Sequence, residues 1–259
     1  MTDPDPAFAT PPEPTPAPTP SVFGSRPWSP LAASWLVALT FVVSLFGSLA
    51  IREALSRDYS DTVTTLLVGG ILTLGYLIEL AAVRSVTISQ GSRPAETVGL
   101  VRPRAVSPMT WIGAAIGGAL VARAFAAIYS LLINRLGLTL PGANSDPLSV
   151  FPGGGISVVV LFAVVVFIAP FAEEVVFRGV LLPALGARWG TLYAVAISSA
   201  LFATFHVSVY LFLPILVAAI IFARLAVRFG SLWPSYLAHA TFNGVAAVAV
   251  LVLKAKGLA

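Results

Sequence analysis

The chain has 259 residues, of which 58% are hydrophobic and 10% charged, with a mean hydropathy of +0.93. Soluble domains carry about a quarter charged residues, so this composition excludes a water-soluble enzyme, a disordered protein and a disulfide-stapled secreted domain. There is no cysteine, which removes thiolate metal sites and cysteine nucleophiles. The formal charge of +4 and the pI near 9.8 are compatible with nucleic-acid binding. The arginines, however, sit between hydrophobic runs, the pattern that encodes membrane topology, so no nucleic-acid partner is expected and the lipid bilayer is.

In chain order, residues 1–30 hold ten of the twenty prolines and no apolar face, and read as a disordered cytoplasmic tail. The next two segments are 31–155, N-terminal membrane helices and loops, and 156–253, a helical core; residues 254–259 form a short C-terminal tail. A membrane-spanning helix needs about 20 apolar residues. Seven stretches qualify, at 31–51, 62–83, 110–133, 156–187, 190–208, 210–229 and 231–253, so the expected fold is an all-α polytopic transmembrane bundle of about seven spans, eight if a further or re-entrant segment exists. Pro147, Pro152 and Gly153 to Gly155 interrupt the chain before the fourth span, and Arg188-Trp189-Gly190 and Arg228-Phe229-Gly230 mark later turns. The run at 152–157 reads as a helix start, and residues 134–155 as a connector or a loop over the cavity. The small residues of GAAIGG (113–118) suit close helix packing. Eight Arg residues fall on the N-terminal side of the seven-span topology and five Lys or Arg on the other, which places the N-terminus in the cytoplasm of a cell-membrane protein.

Ionisable residues inside a bilayer are costly and need a partner or a wet cavity. Glu173 and Glu174 are adjacent in an apolar run, and the two histidines, His206 and His239, both fall in hydrophobic segments. Glu174 and Arg178 are four apart and share a helix face, while Glu173 is rotated by about 100° and points elsewhere. His206 with Phe202, and His239 with Asn243, repeat the four-residue spacing. Depth tests whether these groups meet. With the fourth helix running to about Ala187, Glu173 lies about 20 Å from the cytoplasmic end, His206 about 25 Å, His239 about 12 Å and Asn243 about 18 Å at 1.5 Å per residue. The long, Pro183-kinked fourth helix is therefore expected, with the groups converging in mid-bilayer. Glu79 lies near a helix end and is expected to snorkel to the interface; Arg123 lies in mid-span and needs a partner.

A carboxylate in a poorly solvated site is a stronger base than one in water, and histidine and asparagine can donate to a developing oxyanion. The set thus suits peptide hydrolysis by an activated water. There is no HExxH, no Asp inside a span and no Gly-x-Ser-Gly, which argues against zincin, aspartyl and rhomboid-type sites. Two other readings remain open: a proton-coupled transporter with a Glu/His relay, and a non-catalytic membrane scaffold or immunity protein.

The segments EEVVFR (173–178), FATFH (202–206) and HATFN (239–243) resemble, in order, the EExxxR, FxxxH and HxxxN motifs of the CPBP family, the CAAX proteases and bacteriocin-processing enzymes also called Abi proteins. Gly179 and the segment GSLWPSYLAHA before His239 are similar too. The resemblance spans about 156–253. It implies an intramembrane glutamic endopeptidase in which Glu173 activates water, His206 orients it, His239 and Asn243 bind the oxyanion, and Glu174 with Arg178 gives support. It implies a peptide or membrane-protein substrate, a CAAX-type prenylated one in the eukaryotic branch, and a bacterial origin fits the Ala- and Arg-rich usage. No cofactor is expected; zinc held by the glutamate and the histidines is the alternative.

Overall fold

The computed structural model describes residues 28–104, 106–142 and 155–257. Those residues form helices α1 (Pro30–Ser56), α2 (Asp61–Ser89), α3 (Pro94–Thr97), α4 (Pro108–Arg135), α5 (Ile156–Ala163), α6 (Ala169–Glu174), α7 (Leu182–Thr204), α8 (Val209–Phe229) and α9 (Leu232–Ala255), with π-helical turns at Val164–Ile168 (π1) and Val175–Leu181 (π2). There is no strand among the described residues. The expected tail lies almost wholly outside them, as does most of the loop before α5.

Starts and stops follow local chemistry. Ser29, Ser60, Ser107, Ser208 and Ser231 each precede a long helix and accept a hydrogen bond from an N–H of its first turn. Gly230 ends α8 in the left-handed region, at φ 55°. Gly155, with φ 57°, opens α5 as the helix-start reading anticipated.

Among the described residues six helices are long and apolar enough to cross a membrane, and one of them, Ile156–Thr204, runs for 49 residues. At 1.5 Å per residue that is roughly 73 Å, more than twice a ~30 Å hydrocarbon core. Gly190 resolves the excess: at φ 80° and ψ 166° it breaks the run into two limbs, which with the five other long helices makes about seven apolar membrane segments. Large apolar side chains such as Phe41, Phe46, Leu74 and Leu131 are exposed on α1, α2 and α4, as lipid-facing surfaces require.

Each of the two prolines of the long first limb, Pro183 among them, follows a π turn. Pro170 and Pro183 are the second residues of α6 and α7, directly after π1 and π2. Proline brings no N–H and its ring crowds the carbonyl four residues back, and a wider turn relieves that crowding. Side chains from other elements reach the carbonyls left short. Ala169 N–H bonds to Val164 O in π1, and the next such bond, from Pro170 to Val165 O, is impossible; Asn243 Nδ2 donates to Val165 O at 3.0 Å. In π2 the corresponding bond runs from Leu182 N–H to Phe177 O, and two residues on Trp28 Nε1 donates to Gly179 O at 2.9 Å. Trp28, assigned from sequence to the tail, is buried.

Ala115, Ala119 and Ala122 of α4 are buried against Phe222 of α8 and Phe242 of α9. Gly118 is needed there, since a Cβ would come within 2.9 Å of Ile221 Cγ2. Arg123 finds its partner on α9: its Nε donates to Phe242 O at 2.7 Å and its guanidinium lies 3.4 Å from the Phe242 ring centroid.

Candidate active site

Glu174 ends α6 and Arg178 lies in π2, both fully buried. The guanidinium Nη1 is 2.9 Å from Glu174 Oε1, and Nη2 donates to Ala219 O on α8 at 3.1 Å. Aromatic faces enclose the cation, with ring centroids of Phe202 at 4.5 Å and Phe222 at 5.8 Å. The carboxylate accepts two more bonds from α9: His239 Nδ1 at 3.0 Å to Oε1, and Ser235 Oγ to Oε2. A buried charge is tolerable only when paired and hydrogen-bonded in this way.

These bonds fix His239. A carboxylate only accepts, so Nδ1 carries the hydrogen, and Nε2 is the ring atom turned toward the second glutamate. The ring stacks on Phe222 at 4.9 Å between centroids and meets Phe202 edge-on at 5.5 Å. His239 Nε2 stands 3.7 Å from Glu173 Oε2.

Glu173, one residue before Glu174, points away from Arg178. Its side chain keeps 20% of its exposure and opens into a cavity of about 290 Å³ walled by α1, α2, α6, π2, α7 and the turn after α7. Tyr76 of α2 donates its hydroxyl hydrogen to Glu173 Oε1 at 3.0 Å. Tyr76 is near the middle of the 29-residue α2, and Glu173 lies midway between Ile156 and Gly190, so the two meet at mid-helix depth.

His206 differs from its expected setting. It lies not inside a span but in the turn 205–208, after α7 ends at Thr204. The limb from 191 to 204 has 14 residues, about 21 Å, and stops short of a ~30 Å core. The turn is strained at Val207, a β-branched residue at φ 48°. His206 Nδ1 faces Phe202 O at 3.0 Å, so it donates and leaves Nε2 as the free acceptor, and the ring lines the same cavity as Glu173.

The structure thus gathers Glu173, Glu174, Arg178 and His239 in one contact network, and brings His206 to the cavity that Glu173 faces. Asn243, one turn beyond His239, commits one amide hydrogen to Val165 O and is not among the cavity-lining residues. Phe202 is the common spacer: its ring touches Phe177, His206, His239 and Arg178.

Three site residues escaped the sequence reading. Ser235 carried a signal, since Ser235, His239 and Asn243 recur every four residues on one face of α9. Tyr76 and Glu79 carried only a weak one, a polar pair three apart in an apolar span, with nothing to link α2 to a helix 97 residues later. Glu79 does not snorkel: it is 4% exposed and lines the cavity with Glu173. As for metal, no group of three His, Asp or Glu side chains with ligand geometry exists among the described residues. His239 and His206 each commit Nδ1, to Glu174 and to a carbonyl respectively, which leaves Nε2 as the remaining acceptor on each ring.

A helical membrane protein with a buried Glu–Arg–His network beneath a cavity-facing glutamate is the class that the fold and site define. Residues 155–245 match the family model described as type II CAAX prenyl endopeptidase, Rce1-like, and all three motifs lie inside the match. Through that segment, about a third of its length, the chain is similar to the CAAX protease family of membrane endopeptidases. No curated protein and no solved structure matches the chain.

Proposed function

We propose that this multi-pass protein is an intramembrane endopeptidase that cleaves a peptide or membrane-protein substrate with water activated by Glu173. The observation that carries the reading is the placement of Glu173: it alone of the two adjacent glutamates faces the cavity, held by Tyr76 on one oxygen and close to His239 on the other. A water between Glu173 and His206 Nε2 gives its proton to the carboxylate as its oxygen attacks the substrate carbonyl carbon. The carbonyl oxygen becomes an oxyanion. His239 in its doubly protonated form donates to it from Nε2, while Nδ1–H stays bonded to Glu174. As the C–N bond breaks, the proton held by Glu173 passes to the leaving amine. Every bond in this sequence is made by the chain's own groups and water, so no metal is required.

The residues fit a prenylated CAAX peptide and an unmodified bacterial peptide equally. In this reading the protein sits in the cell membrane of a bacterium with its N-terminus in the cytoplasm. The test incubates nanodisc-embedded protein with farnesylated CAAX peptides and with an unbiased peptide library, reading products by mass spectrometry. Defined internal cleavage products are expected. A folded protein that yields none from any pool would move the assignment to a scaffold or a proton-coupled carrier.

A further inference from the structure

The cavity in front of Glu173 holds a second carboxylate that the hydrolysis above does not use. Glu79, on α2, is 4% exposed and lines that cavity, yet it has no hydrogen bond or ion pair to any described residue. This contrasts with Glu174, whose charge is matched by Arg178 and two further donors. The other charged or titratable lining groups are Glu173, Tyr76 and His206, and no lysine or arginine is among them. Arg178 cannot serve, being packed behind Glu174 and bonded to Ala219 O.

Two carboxylates facing one low-dielectric cavity without a counter-charge cannot both hold their charge, so a cation placed between them is what would let Glu79 ionise. A cation entering the cavity would be matched by the group that now lacks a partner. The rest of the lining suits a long, slender side chain. Thr40, Ser44 and Ser48 of α1 add hydroxyls along one wall, Gly47 and Gly75 keep α1 and α2 from filling the space, and Phe177, Phe202 and Phe205 provide an apolar wall for a methylene stem. Register fixes the distance. Glu79 is three residues from Tyr76, which touches Glu173, so a group on Glu79 sits within one helical turn, about 5–6 Å, of the catalytic carboxylate's anchor.

We propose that Glu79 forms a specificity subsite for a basic side chain, lysine or arginine, immediately beside the scissile bond of the substrate. This rests on the endopeptidase reading for the words "scissile bond"; the cation site itself does not depend on it. Glu79 is a specificity residue here, touching substrate but not the reacting atoms.

The experiment uses the full chain in nanodiscs and a set of neutral, apolar nonapeptides in which one lysine, or one near-isosteric norleucine, is walked along the sequence. Binding is read with the turnover-blocked Glu173→Gln protein. At one register the lysine peptide is expected to bind at least tenfold tighter than its norleucine twin. That ratio should fall to near one when Glu79→Gln is added, persist in Glu79→Asp, and favour glutamate over lysine in Glu79→Lys. Cleavage by otherwise wild-type protein should show the same ratios in kcat/KM. Cleavage with no lysine preference at any register would overturn the subsite and leave the endopeptidase reading standing. A Glu79-dependent lysine preference in binding, with no cleavage of any peptide, would uphold the subsite and sink that reading. A lysine preference that persists unchanged in Glu79→Gln would place the cation elsewhere and overturn the assignment.

Discussion

Replacing Glu174 by Gln tests the buried network most sharply, because it changes one charge and almost no volume. Arg178 is then left fully buried with its only anionic contact removed, retaining the bond to Ala219 O and the two aromatic faces. Removing one partner of a buried ion pair costs about 3–5 kcal/mol, whereas replacing both by groups of similar volume is often neutral. Glu174→Gln should therefore lose about 3 kcal/mol or more, roughly a hundredfold in the folding constant, and Glu174→Gln with Arg178→Met should recover at least half of it. Equilibrium unfolding in mixed micelles, followed by tryptophan fluorescence, measures both. Activity separates from stability: the double variant regains the fold but not turnover, because His239 Nδ1 has lost its carboxylate. A single-variant loss under about 1 kcal/mol, or a double variant no more stable than the single, would refute the claim that this pair is a charge-balanced structural unit.

Two other outcomes follow from particular contacts. Tyr76→Phe removes one hydroxyl and its bond to Glu173; hydrogen bonds to charged groups are worth about 1.5–3 kcal/mol, so the unfolding midpoint should fall by roughly 3–12 °C and kcat by roughly ten- to a hundredfold with KM little changed, and a kcat within twofold of wild type would dismiss Tyr76 as a positioning residue. Gly179→Ala places a Cβ 2.9 Å from Val98 Cβ and 3.0 Å from Val98 O, so it should destabilise by about 1–3 kcal/mol, while Gly113→Ala, with nothing within 4 Å, should be neutral or stabilising in the same assay.

What the sequence made legible depended on the range of the physics involved. Hydropathy and length located the membrane-crossing helices, and Gly190 was marked as a turn because glycine before a new apolar run is a local signal. The Glu174–Arg178 pair followed from four-residue spacing on one helix. The π turns did not, since they reflect Pro170 and Pro183 acting with Asn243 and Trp28, groups far apart in the chain. His206 was placed within a span because apolar residues continue past it; the helix stops at Thr204. Glu79 was misjudged for a related reason. Its distance from the helix end permitted snorkelling, but the packing of α2 beside α6 points it into the cavity with Glu173, and that packing is invisible to a one-helix argument.

The central claim is that Glu173 is the base. The most direct measurement is the single-turnover cleavage rate of wild type beside Glu173→Gln, each confirmed folded, with and without a strong chelator and then with zinc restored. General-base loss predicts a fall of about 10²- to 10⁴-fold for Glu173→Gln, with the wild-type rate indifferent to chelator and to zinc. Equal rates for the two proteins would contradict the account, and so would a wild-type rate abolished by chelator and recovered with zinc.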